Sequence, residues 1–247
     1  MSHKRGVPTL KEITLARLIE LTAPVPMDTL VSRILEHYPS AGKRPGQRVR
    51  DLLRSYDLTG GELVWLDPET IVPLRLAMPG VRWRIGLGTE EVKQGMLAVQ
   101  PGFVPFLTNR LGRVIASDQI EFFDVNDQRL PTQLTTCPIK RKTIDGEYDT
   151  RDEPVFDVKA WLHFWRPHAH DSVLVTILNW RPARLRLEFE PRAHYDQPAI
   201  TAQNRALVAA IHVLLDESQD ERIHPYPAIL TALARMPSAR HYPVTPG

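Results

Sequence analysis

The stretch Lys43–Tyr56, KRPGQRVRDLLRSY, decides how the first third of this chain is interpreted. Proline suits the first turn of a helix, so the stretch predicts a helix that begins at Pro45 and ends near Tyr56. Apolar side chains recur on one side of that helix, at Val49, Leu52, Leu53 and Tyr56. Because such a stripe packs against neighbouring elements, the opposite side of the helix is predicted to face solvent.

The outward side of this helix collects positive charge. Between residues 43 and 54 the acidic residue is Asp51, and it is accompanied by a polar and basic set consisting of Lys43, Arg44, Gln47, Arg48, Arg50 and Arg54. Arginine and lysine bind phosphates, arginine pairs with the guanine edge, and glutamine pairs with the adenine edge. We therefore expect this set to contact nucleic acid. The alternative is a solvated helix face in a winged helix that binds protein.

The flanking sequence predicts the elements around this helix. Apolar periodicity indicates two preceding helices, over Thr9–Thr22 and Met27–His37, and two following strands, over Glu62–Leu66 and Thr70–Leu74. Three helices followed by a two-stranded hairpin is the order of a winged helix, whose third helix enters the major groove. The sequence thus predicts a winged-helix domain over residues 1–78.

Two short segments in this domain carry a resemblance to a known family. Residues 24–31, PVPMDTLV, lead into the second helix, and Lys43-Arg44-Pro45 leads into the third. Both resemble the corresponding helix entries of the HARE-type helix-turn-helix, a winged-helix variant linked to DNA-associated proteins. The resemblance covers most of residues 1–78 and implies double-stranded DNA as a partner.

Residues 79–195 are typical of short strands separated by turns. The clearest pair is Asp171–Leu178, which is rich in β-branched residues, and Ala183–Glu190, in which apolar and charged residues alternate strictly. Asn179–Pro182 forms the turn between them. Several short strands at close spacing predict an antiparallel barrel or sandwich with one buried and one solvated face.

The order of features in this region is similar to that of the B3-like pseudobarrel of plant transcription factors and some restriction-enzyme effector domains. The matching segments are Thr89–Gly95, Pro101–Phe106, Phe122–Asp127, Trp161–Phe164 and Asp171–Val175. The resemblance implies duplex DNA binding through loops on one concave side, with candidate contacts at Arg82, Arg84, Arg110, Arg113, Lys140, Arg141 and Lys142. Residues 138–154 interrupt the pattern and predict a solvated loop, with a DNA-contacting clamp as the alternative.

Residues 196–247 form the third predicted region, a helical extension. Its first helix is predicted over Thr201–Leu215 with Thr201 as N-cap, and its second over Ala228–Met236. The apolar stripe of the first helix consists of Leu207, Val208, Ile211, Leu214 and Leu215. This helical hairpin either packs on its own domain or forms a homodimer or partner interface, and the sequence leaves both open.

Catalytic and metal-binding patterns are weak throughout. His163, His168, His170 and Asp171 are metal-ligand residue types, but their spacing favours surface histidines over a metal site. Asp157-Val158-Lys159 has the D-x-K form of metal-dependent nucleases, for which a second acid would have to come from Asp145, Asp149 or Asp152. Neither a G-x-S-x-G elbow nor a phosphate-binding loop motif occurs. We expect no catalytic residue, no metal and no cofactor.

Composition bounds these interpretations. The 247 residues carry 31 Lys+Arg against 29 Asp+Glu, a net charge of +2 that by itself favours no partner. A single cysteine, Cys137, excludes an internal disulfide framework and fits a cytoplasmic location. Apolar runs are too short for a membrane span. The sequence therefore predicts an α+β chain that binds double-stranded DNA without catalysis, as a transcription or DNA-processing/defence factor. A protein–protein adaptor and a metal-dependent nuclease remain the alternatives.

Overall fold

The computed structural model describes residues 8–38, 44–58, 63–99, 103–107, 120–142, 145–217 and 225–245. Over these ranges the chain is a mixed α+β structure, which confirms the α+β part of the predicted fold class. It divides into two compact units, residues 1–77 and residues 78–247. Residues 196–247, assigned above to a separate extension, belong to the second unit.

The first unit begins with three helices and ends with a small sheet. Its elements are α1 (Leu10–Glu20), β1 (Val25–Pro26), α2 (Met27–Leu35), α3 (Pro45–Leu58), β2 (Leu63–Trp65), β3 (Thr70–Pro73) and α4 (Leu74–Ala77). The three helices and two strands expected from periodicity are all present, with ends that differ by a few residues. The side chain of Thr9 caps α1 together with Glu12, in the reciprocal arrangement called a capping box.

Strand β1 is a feature that periodicity did not predict. It pairs antiparallel with β3, placing Val25 opposite Ile71, and the sheet order is β1-β3-β2. A two-residue strand containing proline has no alternation to detect, so only its pairing reveals it. Buried side chains of α1, α2 and α3, among them Leu30, Ile34 and Val49, form one core with this sheet.

Arg75 ties α4 to the end of α1. Its Nη2 atom lies 3.1, 2.6 and 2.5 Å from the carbonyl oxygens of Leu18, Ile19 and Leu21. These oxygens lie at the C-terminal end of α1, where carbonyls lack helical partners and a cation is favourable. We expect Arg75→Ala to destabilise the unit by about 2 kcal/mol, since a charged donor to backbone is lost. Hydrogen exchange should show faster exchange of α1 amides, whereas unchanged protection of α1 would contradict this role.

The second unit contains the remaining elements. Its strands are β4 (Arg82–Gly86), β5 (Met96–Ala98), β6 (Ile120–Phe123), β7 (Arg129–Leu130), β8 (Gln133–Lys142), β9 (Tyr148–Asp157), β10 (Ser172–Asn179) and β11 (Ala183–Glu190). Its helices are α5 (Thr89–Gln94), α6 (Val104–Leu107), α7 (Lys159–Trp165), α8 (Gln197–Glu217) and α9 (Pro225–Arg235), with short 3₁₀ turns at Arg192–His194 and Pro237–Arg240.

Two sheets organise the strands of this unit. One has the order β4-β10-β11-β6-β7 and the other the order β5-β9-β8. Neither sheet closes into a barrel within the ranges that the structure covers. The expectation of a purely antiparallel arrangement is wrong, because β6 runs parallel to β11, with Phe122 opposite Leu185. Alternation within a strand fixes which side chains share a face but carries no information on the direction of its neighbour.

An aromatic cluster joins the two sheets. Phe156 on β9 lies with its ring centroid 4.8 Å from that of Phe122 on β6, and 5.2 Å from that of Phe103. Trp83 on β4 contacts Phe103 edge to face at 5.7 Å. All four side chains are buried, and edge-to-face packing of this kind adds to the burial of apolar area. The sheets therefore share one core.

Residues 138–154 adopt a structure that differs from the predicted loop. The expected loop is instead the end of a long antiparallel hairpin, in which ten residues of β8 pair with ten of β9. Lys140, Arg141 and Lys142 thus belong to a strand, with Arg141 opposite Asp149. The mixture of basic and acidic residues, which suggested a solvated loop, comes from two polar strands that face each other.

The C-terminal helices also depart from the prediction in detail. Helix α8 begins at Gln197, so Thr201 lies inside it and is not an N-cap. Of the predicted apolar stripe, Leu207 and Leu214 are buried, whereas Val208 and Leu215 are exposed. Asn204 and Gln203 hold α8 to the chain end through bonds to the Thr245 amide and to Ser238. No helix in the described ranges is both long and apolar enough to cross a membrane.

Candidate nucleic-acid interface

Helix α3 places its two faces in opposite environments. Val49 and Leu53 are fully buried against the core of the first unit. The exposed side chains of this segment are Arg44, Gln47, Arg48, Asp51 and Arg54. The interior of a folded unit excludes the strongly polar side chains, so the buried apolar pair fixes the rotation of α3 and turns the arginines outward.

Two members of the predicted set have partners within the unit. Arg50 donates from Nη2 to the carboxylate of Asp28 on α2 at 2.6 Å, which ties α3 to α2. Gln47 donates its side-chain amide to Asp51 one turn later, at 2.7 Å. An exposed ion pair of this kind contributes little to stability, but it occupies the guanidinium of Arg50. Arg50 is therefore a weaker candidate for a phosphate contact than its neighbours.

The remaining arginines, Arg44, Arg48 and Arg54, form ion pairs with none of the residues that the structure describes. Three guanidinium groups on one exposed face, none paired with a described carboxylate, make a local excess of positive charge that Asp51 only partly offsets. Guanidinium groups suit phosphate because they are planar, permanently charged and able to donate two parallel hydrogen bonds. We call Arg44, Gln47, Arg48 and Arg54 the α3 face. Lys43 lies outside the described residues.

The arginines expected on the concave side of the second unit are placed differently. Arg84 on β4 is 7% exposed, and its Nε and Nη2 atoms donate to the two carboxylate oxygens of Glu190 on β11 at 2.6 and 2.9 Å. Its guanidinium also lies 5.4 Å from the ring centroid of Tyr195. An arginine enclosed in this way offers no donor to a phosphate. Arg84 is therefore a structural residue of the second unit and not a candidate DNA contact.

Arg82 forms the neighbouring pair, with Nη2 2.8 Å from the carboxylate of Glu188. These side chains are 25% and 45% exposed, so the pair lies nearer to solvent than that of Arg84. The sequence could not reveal either ion pair. Strands β4 and β11 do not pair with each other, and they are brought together because both pair with β10. Arg110 and Arg113 lie outside the described residues.

The hairpin of β8 and β9 carries the last predicted contacts. Lys140 is exposed, and its ammonium lies 4.8 Å from the ring centroid of Tyr148 on β9. Arg151 on β9 pairs with Asp149 at 2.5 Å. Arg141 of β8 lies opposite Asp149 of β9, and Asp152 and Glu153 follow on the same strand, so the hairpin mixes both signs of charge where α3 collects one.

The histidine-rich segment has no metal-like geometry. The carboxylate of Asp171 accepts hydrogen bonds from the backbone amides of His168 and Arg192, at 2.7 and 2.8 Å. Its role is therefore to fix the loop before β10. Among the described residues, no group of three or more His, Cys, Asp or Glu side chains converges as a metal site would.

A hydroxyl pair beside this loop also lacks the geometry of a catalytic serine. The buried hydroxyl of Ser172 bonds to the hydroxyl of Tyr195, which in turn donates to the carbonyl oxygen of His170 at 2.8 Å. Burial is the main cause that raises the pKa of Tyr195. Among the described residues no histidine forms a hydrogen bond with Ser172, whereas a serine nucleophile needs an adjacent base. The hydroxyl pair links the loop to the sheet.

The D-x-K segment is split between two elements. Asp157 is the last residue of β9 and accepts a hydrogen bond from the backbone amide of Lys159, the first residue of α7, at 3.0 Å. Asp152 lies five residues earlier on the same strand, about 17 Å away at the usual rise of an extended chain. Asp149 is still more distant along β9. These acids cannot share one metal ion with Asp157.

Helix α7 presents exposed aromatic side chains, which lie outside the predicted DNA contacts. Phe164 is 76% exposed, and Trp165 beside it is also exposed. Trp161, Phe164 and Trp165 have the i, i+3, i+4 spacing that places residues on one helical face. That spacing is readable from the sequence, which predicts surface histidines here and assigns these aromatic residues no binding role.

Comparisons with known proteins add no family to these observations. Neither protein-family models, nor curated protein sequences, nor solved structures give a significant match to this chain.

Proposed function

We propose that this chain is a non-enzymatic protein that binds double-stranded DNA, and that α3 is its recognition helix. The observation that carries the proposal is the α3 face, where three arginines without a described ion-pair partner lie opposite a fully buried apolar stripe. Such a cluster of guanidinium groups on the exposed face of one helix is the electrostatic footprint of a nucleic-acid partner.

The connectivity of the first unit supports a winged helix. Its elements follow in the order α1-β1-α2-α3-β2-β3, and β1 pairs with the hairpin of β2 and β3. In helix-turn-helix proteins the second helix of the motif enters the major groove, and here that helix is α3. The resemblance of residues 24–31 and 43–45 to the HARE-type variant supports the same arrangement.

In the proposed mechanism, different side chains of the α3 face contact the bases and the phosphates of the duplex. Arg44 and Arg48, at the start of the helix, suit contacts to phosphate or to the O6 and N7 atoms of guanine, and Gln47 suits adenine. Arg54 lies two turns later and suits a phosphate contact. Each phosphate that a cation neutralises releases counterions, so affinity should fall steeply as salt rises.

For the second unit we propose a B3-like pseudobarrel in which the C-terminal helical hairpin packs on its own domain. The shared aromatic core of two open sheets supports a pseudobarrel, and the hydrogen bonds that anchor α8 to the chain end support the packing. Arg82 and Arg84 are engaged internally, and among the candidates of this unit whose side chains the structure describes, Lys140 is exposed. Cys137 is a free thiol, in keeping with the proposed cytoplasmic location.

Replacing Arg48 and Arg54 together by alanine tests this function. We expect wild-type protein to bind a random-sequence 24-base-pair duplex at low salt, and the double variant to bind it about 10- to 100-fold more weakly. The slope of log affinity against log salt should fall by about two, because two phosphate contacts are lost. Fluorescence anisotropy with a labelled duplex at several salt concentrations measures both quantities.

A matched control removes the same charge elsewhere. Arg129 and Arg205 are exposed arginines of the second unit, and their replacement by alanine should leave duplex affinity within about twofold of wild type. If both double variants lose affinity equally, the effect reflects net charge and not the α3 face. Absence of duplex binding by wild-type protein at low salt would overturn the proposal.

A second candidate function is a protein–protein adaptor. It is favoured by α8, whose exposed residues include the apolar side chains Val208, Val213 and Leu215. Several large apolar side chains on one exposed helix are typical of an interaction surface. A chain that showed no duplex affinity but formed a stable homodimer, or a complex with a partner, through this helix would fit the adaptor.

A further inference from the structure

The aromatic side chains of α7 form a platform at the surface of the second unit. The ring centroids of Phe164 and Trp165 lie 5.2 Å apart with their planes nearly perpendicular, at 88°. Trp165 stacks in turn on Phe189 of β11, at 5.6 Å and 25°. Trp165 is therefore supported from below by the sheet, and Phe164 offers a largely uncovered ring beside it. We call Phe164 and Trp165 the aromatic platform.

The segment of the chain that carries the platform, residues 158–170, is basic. Residues 158–170 contain no carboxylate, and the basic side chains among them, all exposed, are Lys159, His163, Arg166, His168 and His170. The two acids at the ends of this segment are engaged: Asp157 caps the Lys159 amide, and Asp171 is buried on two backbone amides. No described residue forms an ion pair with Lys159 or Arg166.

The backbone that follows the platform is held in a demanding conformation. Arg166 and His170 both have positive φ, at 49° and 77°, in the left-handed region that favours glycine. A non-glycine residue with positive φ is strained and persists only where surrounding contacts compensate, and such positions cluster at functional sites. Here the amide of His170 donates to the carbonyl of Leu87 at 2.8 Å, and the amide of Arg166 donates to His163 at 3.3 Å. The turn is thus anchored at both ends.

We propose that the aromatic platform binds an unpaired base of a single-stranded nucleic acid, with the cations around it holding the adjacent phosphates. Single-strand binding sites combine aromatic faces, on which bases stack, with positive charge that follows the backbone. The absence of acidic residues in 158–170 favours a polyanion over an apolar protein segment. This site is separate from the α3 face and does not depend on the proposed duplex binding.

The experiment uses the full chain and a labelled dT20 oligonucleotide. Wild-type protein should bind dT20 at low salt, and Phe164→Ala should weaken binding about tenfold, as the loss of one stacking contact predicts. Phe164→Trp should restore affinity, with quenching of tryptophan fluorescence on binding, whereas Phe164→Leu should not. The same series in the Arg48→Ala, Arg54→Ala background removes any contribution of the α3 face.

Two controls separate stacking from other effects. Ile19→Ala removes a side chain of similar exposure, 72%, from α1 in the first unit and should leave dT20 affinity unchanged. Phe164→Ala should leave duplex affinity and thermal stability unchanged, so failure of the duplex proposal and failure of this one are distinguishable. Parallel titration with rU20 shows whether RNA serves as well as DNA.

Three results would overturn the proposal. The first is a wild-type protein that does not bind dT20 or rU20 at low salt. The second is a Phe164→Ala variant that binds both as tightly as wild type does. The third is full affinity in Phe164→Leu, which would show an apolar contact without base stacking and would point to a protein partner for this surface.

Discussion

Replacement of Arg84 by alanine should lower the free energy of unfolding of the second unit by about 3 to 5 kcal/mol. The side chains of Arg84 and Glu190 are 7% and 15% exposed, and they share two short hydrogen bonds. Removing one member of such a pair leaves a largely buried carboxylate without its partner, and this desolvation penalty dominates the loss. Urea denaturation followed by fluorescence, with tryptophans in the core of the unit, measures the change.

Two further variants give this prediction a sharp control. Arg82→Ala breaks the neighbouring pair with Glu188, which is more exposed, and should cost no more than about 1 kcal/mol. The double variant Arg84→Met, Glu190→Met removes both charges and should recover most of the stability lost in Arg84→Ala. Equal losses in Arg82→Ala and Arg84→Ala would contradict the distinction between a surface pair and an enclosed one.

The same variant separates stability from DNA binding. At a temperature where Arg84→Ala remains folded, its duplex affinity should lie within about twofold of wild type, because Arg84 has no donor to offer a phosphate. A loss of affinity comparable to that of the Arg48 and Arg54 double variant would return Arg84 to the interface. The composition of this sequence, rich in arginine, cannot make that distinction; the burial of each guanidinium does.

Local patterns predicted the first unit well. The apolar stripe of α3, with Val49 and Leu53 fully buried, fixes both the helix and the side that carries its arginines. Proline at position 45 begins the helix as expected. These features depend on residues that are near in sequence, where periodicity and turn chemistry act directly. Strand β1 was missed because its structure exists only through pairing with β3.

The structure of the second unit is harder to predict from the sequence, because the contacts that define it join residues far apart in the chain. Strand β4 reaches β11 through β10, which places Arg84 against Glu190 across 106 residues. The alternation of β11 correctly separates Leu185 and Leu187 from the charged residues, but it cannot say which strand supplies their partners. Residues 138–154 carry the pattern of a loop for a related reason, since the two strands are polar and largely exposed in this part of the hairpin.

Phe156→Ala should produce a loss of similar size, about 3 to 5 kcal/mol, for a different physical reason. Phe156 is fully buried, and its ring contacts Phe122 of the other sheet and Phe103, which precedes α6. Truncation removes buried apolar area and leaves a cavity that two rigid sheets cannot collapse to fill. It also removes two aromatic contacts that add to burial.

Substituting Phe156 by side chains of decreasing size tests whether the lost volume causes the loss of stability. Phe156→Leu keeps most of the side-chain volume and should cost about 1.5 kcal/mol, well below the cost of Phe156→Ala. Phe164→Ala removes a phenyl ring from the surface and should change stability by less than about 0.5 kcal/mol. Similar losses in the two Phe→Ala variants would contradict burial in the shared core as the cause of the larger loss. If instead only Phe156→Ala lowers the urea midpoint, the aromatic cluster is the contact that holds the two open sheets together.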